Sequence, residues 1–127
     1  MDGAPSRAYL QFTLRRGQID EPPRGRSLDP ETGAATRVDL RGQTVVTGDG
    51  LVVSGRMVYV IQNDDQVTVV RLDRGLDGGE VRRMIMSTRF RQPSTADLHR
   101  RSLYVVNARF DTTPAPDTEY DVVRVRA

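Results

Sequence analysis

The apolar positions of this chain fall in short runs, closed by glycine, serine, asparagine or aspartate, and they do not keep a helical period. The stretch 48–85 shows the pattern most fully. Residues 51–53 (LVV) are short and apolar, and Ser54-Gly55 turns them. Residues 56–62 (RMVYVIQ) are apolar at both parities, as expected of a strand covered on both faces. Asn63-Asp64-Asp65 is a turn cluster, and residues 66–72 (QVTVVRL) are β-branched and begin to alternate. Residues 73–79 (DRGLDGG) hold three glycines, which predicts a tight connection with positive φ at glycine. In residues 80–86 (EVRRMIM) strict alternation puts Val81 and Ile85 on one face and Arg82, Met84 and Met86 on the other. Four short strands joined by tight turns within about 40 residues make the size of one propeller blade.

The same texture repeats. Val58-Tyr59-Val60 recurs 45 residues later as Leu103-Tyr104-Val105, and Asp49-Gly50-Leu51 falls opposite Ser94-Thr95-Ala96 at the same spacing. Ser27-Leu28-Asp29 with Thr32-Gly33 stands 44 residues before Arg71-Leu72-Asp73 with Gly78-Gly79. Val70-Arg71-Leu72 aligns with Val123-Arg124-Val125, 53 residues on, and the eight extra residues fall in the Pro-rich loop 111–118 (DTTPAPDT). A fixed period with β texture predicts an all-β fold, a partial β-propeller of about two to three four-stranded blades. A β-sandwich of similar short strands is the alternative, although sandwiches need no fixed period.

In chain order, residues 1–24 are an atypical N-terminal segment in which 9–14 (YLQFTL) suits one strand, before Arg15-Arg16-Gly17 and Glu21-Pro22-Pro23 break it. Shifting the blade back by one period asks for a Tyr-containing apolar strand near residue 14, and the sequence shows none there. Residues 25–127 form the partial propeller, with a blade part at 25–47, a blade at 48–89 and another at 90–127. In the first part, residues 25–28 and 34–40 form a hairpin. In the last, residues 94–98, 102–107 and 120–126 give three strands, and the chain stops before a fourth. An unclosed fan of this kind leaves unpaired strand edges and uncovered apolar faces.

Composition narrows the function classes. With no Cys among its 127 residues, the chain has neither a disulfide framework nor thiolate metal sites. All 19 basic residues are Arg, but 17 Asp and Glu are interspersed and the net charge is only +2, which argues for a mixed solvated surface and against nucleic-acid binding. No apolar run reaches membrane length and no signal pattern opens the chain. The expectation for the chain as written is therefore a soluble cytoplasmic protein without a membrane partner, although full-length relatives can be exported.

The stretch GDGLVVSGRMVYVIQNDDQVTVVRLD resembles the strand-turn-strand signature of the SMP-30/gluconolactonase/LRE-like (NHL-like) six-bladed propellers. That signature has an Asp-Gly-hydrophobic opening, a Gly turn, a Leu/Val-Tyr-Val strand and a strand ending Arg-Leu-Asp. The closing stretch PSTADLHRRSLYVVNARFDTTPAPDTEYDVVRV is similar to the last blade of bacterial members. The resemblance covers about residues 26–126 and corresponds to the C-terminal half of such a propeller, about half of the six-bladed ring. It implies a divalent cation (Ca, Mg, Mn or Zn) at the top of a central channel, held by a Glu, two Asn and an Asp, which polarises a lactone carbonyl and activates water. Only the Asp carries over, onto Asp49. The other ligands come from blades outside this segment, and the last blade has Ser94 and Thr95 at the equivalent place. The alternative for Asp49 is a turn residue that caps the strand start.

Other chemistry is thin. Redox metals in superoxide dismutases are held mainly by several His, or by Cys in the nickel type, and this chain has one His and no Cys. That His, His99, reads as an exposed residue of the turn 98–101. The Asp-rich turns do not match an EF-hand, and no glycine loop opens a helix. The loop 111–118 is a candidate binding rim, with Asp111 and Asp117 as its acidic residues. Three functional readings follow. The chain is a propeller fragment without a complete active site. Alternatively it is a metal-dependent lactone hydrolase, active only as a homodimer that closes the ring or together with a missing N-terminal half. The third reading is a non-catalytic binding module.

Overall fold

The computed structural model describes residues 9–13 and 24–127. The breaks expected at 15–17 and 21–23, and Leu14, lie outside the described residues. Within them every regular element is a strand: β1 (Tyr9–Thr13), β2 (Arg24–Leu28), β3 (Ala35–Arg37), β4 (Gly48–Ser54), β5 (Met57–Gln62), β6 (Gln66–Leu72), β7 (Gly79–Met86), β8 (Pro93–His99), β9 (Ser102–Asn107) and β10 (Val122–Arg126). They form three antiparallel sheets, ordered β1-β2-β3, β4-β5-β6-β7 and β10-β9-β8. No helix among the described residues is long and apolar enough to cross a membrane.

The central sheet is covered on both faces, as the apolar run of β5 requires. Tyr59, Ile61, Val67, Val69 and Ile85 pack against Phe90, Leu103, Val105 and Val123 of the third sheet and its approach. Val58, Val60, Val70 and Leu72 pack on the other side against Val38, Leu40 and Val45, which follow β3. Each such side chain, once fully buried, contributes roughly 1.5–3 kcal/mol, so the two-sided burial of β5 and β6 is the main stabilising feature. Backbone bonds add a staple on the Val38 side. Val38 N donates to Gly25 O in the first sheet (2.8 Å), while Asp39 N donates to Asp77 O (2.9 Å) and Asp39 O accepts from Gly79 N (2.8 Å) in the second.

The 45-residue repeat is built into the backbone of the second and third sheets. Asp49 is the extra residue of a β-bulge between β4 and β5, and Ser94 is the extra residue between β8 and β9. Asn63 N donates to Thr47 O (3.0 Å), and Ala108 N to Gln92 O (3.1 Å). Left-handed backbone recurs at Thr47 (φ 52°) and Gln92 (φ 50°), and at Gly55 (φ 59°) and Arg100 (φ 56°).

Four details differ from the sequence expectation. Arg82 is a bulge: Val69 lies opposite Arg83 and Val70 opposite Val81. The extra residue inverts the alternation, so Val81 packs with the Val70 side and Ile85 with the Tyr59 side, on opposite faces. Second, the positive φ of the β6–β7 connection is at Leu76 (φ 61°) and at none of the three glycines. Gly78 and Gly79 instead permit close approach, since a Cβ on Gly78 would lie 2.7 Å from Asp73 Oδ2 and one on Gly79 3.0 Å from Arg71 O.

Third, the third-sheet register is displaced by two residues. Val58 pairs with Val70 and Leu103 with Val125, so Val70 corresponds to Val125, 55 residues on, and the insertion is ten residues long. A two-residue slip preserves which side chains face the core, which is why the pattern allowed it. Finally, the strand expected at 9–14 is present as β1, and it also fills the place one period back where the repeat asked for a strand and the sequence showed none. β1 pairs with β2 in the place that β5 holds beside β6, with Phe12 opposite Gly25 as Tyr59 is opposite Val69.

Candidate functional site

One end of the sheets carries Asp49 and Asp111. β4 and β8 begin there, β5 and β9 end there, and the linkers 41–47 and 87–92 enter beside the loops 63–65 and 108–121. Asp49 lies at this end, exposed, inside β4 at its bulge; it is not the turn residue of the alternative reading. Asn63 Nδ2 donates to Asp49 Oδ2 (3.2 Å) and to Pro93 O (2.9 Å), so the carboxylate is tied to the start of the neighbouring sheet. Beside it, Gln92 N donates to Asp65 Oδ1 (2.6 Å) and Gln92 Oε1 accepts from Asp111 N (2.6 Å).

The other predicted residues are dispersed. Asp111 is held through its backbone by Gln92, and Asp117 stands exposed in the turn where Thr118 N donates to Ala115 O (3.0 Å). No hydrogen bond among the described residues joins either of them to Asp49. His99 is exposed, as expected, but it closes β8 opposite Ser102 and does not sit in the turn. Six strand steps from Pro93 put it roughly 20 Å from the Asp49 end. Among the described residues no group of three or more His, Asp or Glu is placed to hold a metal. One carboxylate with one amide falls short of the six or more oxygen ligands that a hard cation takes, roughly, so the donor set of the single chain does not fit the implied cation.

Two residues that the sequence reading passed over organise this end. Gln62 is 1 % exposed; its Nε2 donates to Val46 O (2.7 Å) and its Oε1 accepts from Thr68 Oγ1. Asn107 is fully buried. Its Nδ2 donates to Arg89 O (2.9 Å) and Asp121 Oδ1 (2.9 Å), and its Oδ1 accepts from Arg91 N (2.8 Å). The signal available in the sequence was an amide at the end of each second strand, 45 residues apart, adjoining an apolar run.

Beside Asn107 is a cleft of about 310 Å³ lined by Thr88, Arg89, Arg91, Arg109, Glu119 and Asp121. A smaller cleft, about 260 Å³, lies at the other end of the strands between the β2–β3 and β6–β7 hairpins. Comparison with protein-family models, with characterised proteins and with solved structures gave no match.

Proposed function

We propose that this chain is a β-propeller segment of the SMP-30/gluconolactonase/LRE-like kind, about two and a half blades long, whose role is to form part of a closed ring. The observation that carries this reading is the contrast between two tyrosines at the same place in the repeat. Tyr59 faces the third sheet and is 8 % exposed, whereas Tyr104 lies on the far face of that sheet and is 37 % exposed. Val122 of β10, opposite Val106 of β9 on that same face, is 53 % exposed. A further sheet of the same kind would cover this face as the third sheet covers the second. Two copies would supply about five to six blades, within the range of closed propellers.

On this reading the single chain has no complete lactonase site, because Asp49 is supported only by Asn63. Lactone hydrolysis with a divalent cation would belong to the ring closed by a second copy or by a longer chain, where further oxygen ligands join Asp49. Light scattering after size exclusion, followed by lactone hydrolysis with Ca²⁺, Mg²⁺, Mn²⁺ or Zn²⁺ in turn, tests it. A discrete compact dimer supports closure by pairing. A monomer with a metal-dependent rate abolished by Asp49→Ala overturns the reading.

The binding-module reading is favoured by a different observation, the arginine-lined cleft. It lies within one chain and needs no ring closure.

A further inference from the structure

We infer that the cleft between the linker 87–92 and the loop 108–121 is a binding site for a phosphate dianion, either free or carried on a small hydroxylated molecule. This does not depend on the propeller proposal. Three arginines, Arg89, Arg91 and Arg109, line the cleft together with Glu119 and Asp121. Among the described residues none of these arginines has a carboxylate within ion-pairing distance, and the ion pairs present lie elsewhere, around Arg41, Glu80 and Arg82. The side chains of Arg89 and Arg91 have no protein acceptor among the described residues. Arg109 Nη1 donates to the Glu119 carbonyl (2.6 Å), which fixes its guanidinium and leaves further N–H groups to donate. Planar guanidinium forks match phosphate oxygens in pairs.

The backbone that carries Arg89 and Arg91 is held in place by buried groups, which distinguishes this cleft from a chance gathering of surface charge. Phe90, 4 % exposed in the core, pins the linker between Arg89 and Arg91. Buried Asn107 then binds the Arg89 carbonyl, the Arg91 amide and the Asp121 carboxylate together, so one side chain sets three walls of the cleft. Its bond to Asp121 also occupies one carboxylate oxygen that would otherwise compete for the arginines. The fourth wall comes from the long β9–β10 loop, where the β5–β6 connection has only residues 63–65. Arg109 opens that loop in a left-handed conformation (φ 51°). The insertion that separates the third sheet from the second thus creates the cleft, and a lengthened loop on a rigid scaffold is where binding residues concentrate. Glu119 and Asp121 are placed to accept hydrogen bonds from hydroxyls of the molecule that carries the phosphate.

Inorganic phosphate, titrated at constant ionic strength against chloride and acetate and followed by chemical shifts of the arginine side chains, tests the inference. The expected result is saturable binding of phosphate in the millimolar range or tighter, centred on Arg89, Arg91 and Arg109, with no comparable response to acetate or chloride. Glycerol phosphate binding more tightly than inorganic phosphate assigns the carboxylates to the ligand's hydroxyls; equal binding assigns the site to phosphate alone. Arg89→Gln with Arg91→Gln, both at exposed positions, should keep the melting curve in chloride and weaken phosphate binding about tenfold or more. Arg83→Gln, on exposed β7, should leave it unchanged. A response that does not saturate, acetate binding equal to phosphate, or a double variant that binds like the parent overturns the inference.

Discussion

Gln62 and Asn107 stand at the same place in two sheets, and each uses a buried amide to hold the linker that leads into the first strand of its own sheet. Gln62 grips Val46 ahead of β4, and Asn107 grips Arg89 and Arg91 ahead of β8. The length of the side chain differs, yet the task is the same. Truncating either leaves part-buried backbone groups without these partners, at up to roughly 1–3 kcal/mol for each group. Asn107→Ala, which strands two linker groups and the Asp121 carboxylate, should lower stability by about 3 kcal/mol, and Gln62→Ala by about 2 kcal/mol. Urea unfolding reads both, and Asn107→Ala within 0.5 kcal/mol of the parent, roughly the scatter of neutral surface changes, would contradict this account.

A second prediction concerns Thr47. It is β-branched in a left-handed conformation (φ 52°), and its buried Oγ1 has no hydrogen-bond partner among the described residues. Both features cost stability. Thr47→Gly removes the strain and the orphan hydroxyl, against the larger unfolded-state entropy of glycine. The expected net effect is a gain of about 1 kcal/mol, measured as a higher urea midpoint at unchanged slope. A loss would mean that the methyl packing of Thr47 outweighs its strain.

Strand identity was largely legible in the sequence because burial on both faces leaves a run such as MVYVIQ with no polar face, and because turn residues mark its ends. The repeat was legible for the same reason, since Tyr59 and Tyr104 occupy the same register. What was hidden is whatever alternation does not encode. The bulge at Arg82 adds a residue without changing composition, so Val81 was assigned to the wrong face. The two-residue slip between β9 and β10 keeps the inward side chains inward, so hydrophobicity gives no warning. The candidate site was less legible still. Asp49 stood out by its motif, whereas the cleft arginines are scattered among other Arg residues and are brought together only by Asn107 and the long loop.

The third prediction tests how closely the sheets approach. A Cβ on Gly50 would lie 2.5 Å from Ser94 O and 2.9 Å from Thr95 Cα, both backbone atoms of the next sheet. Backbone cannot rotate away as a side chain can, so Gly50→Ala must push β4 from β8. The expected cost is about 1–3 kcal/mol, with amide exchange faster in β4 and β8 than in β6. Gly55→Ala has open space around its Cβ and only a left-handed φ of 59° to meet, so it should cost about 1 kcal/mol. If Gly50→Ala costs less than Gly55→Ala and leaves amide exchange in β4 and β8 unchanged, β4 and β8 do not touch as described.

The last prediction uses the two tyrosines. Tyr59 and Tyr104 stand at the same place in the repeat, each followed by Val, but have different cover. Tyr59→Ala empties a site packed between two sheets and should cost about 3–4 kcal/mol, whatever the protein concentration. Tyr104→Ala in a monomer removes a third-exposed ring and should cost less than about 1 kcal/mol. If two copies close a ring through this face, Tyr104 becomes buried in the assembly, and its loss then acts on association. Tyr104→Glu would place a charge in that interface, which is strongly unfavourable without a partner. The expected outcome is a monomer by light scattering, folded as judged by its melting curve at low concentration, where the parent is a dimer. A dimer that survives Tyr104→Glu would show that the uncovered face of the third sheet is not the surface that joins the copies.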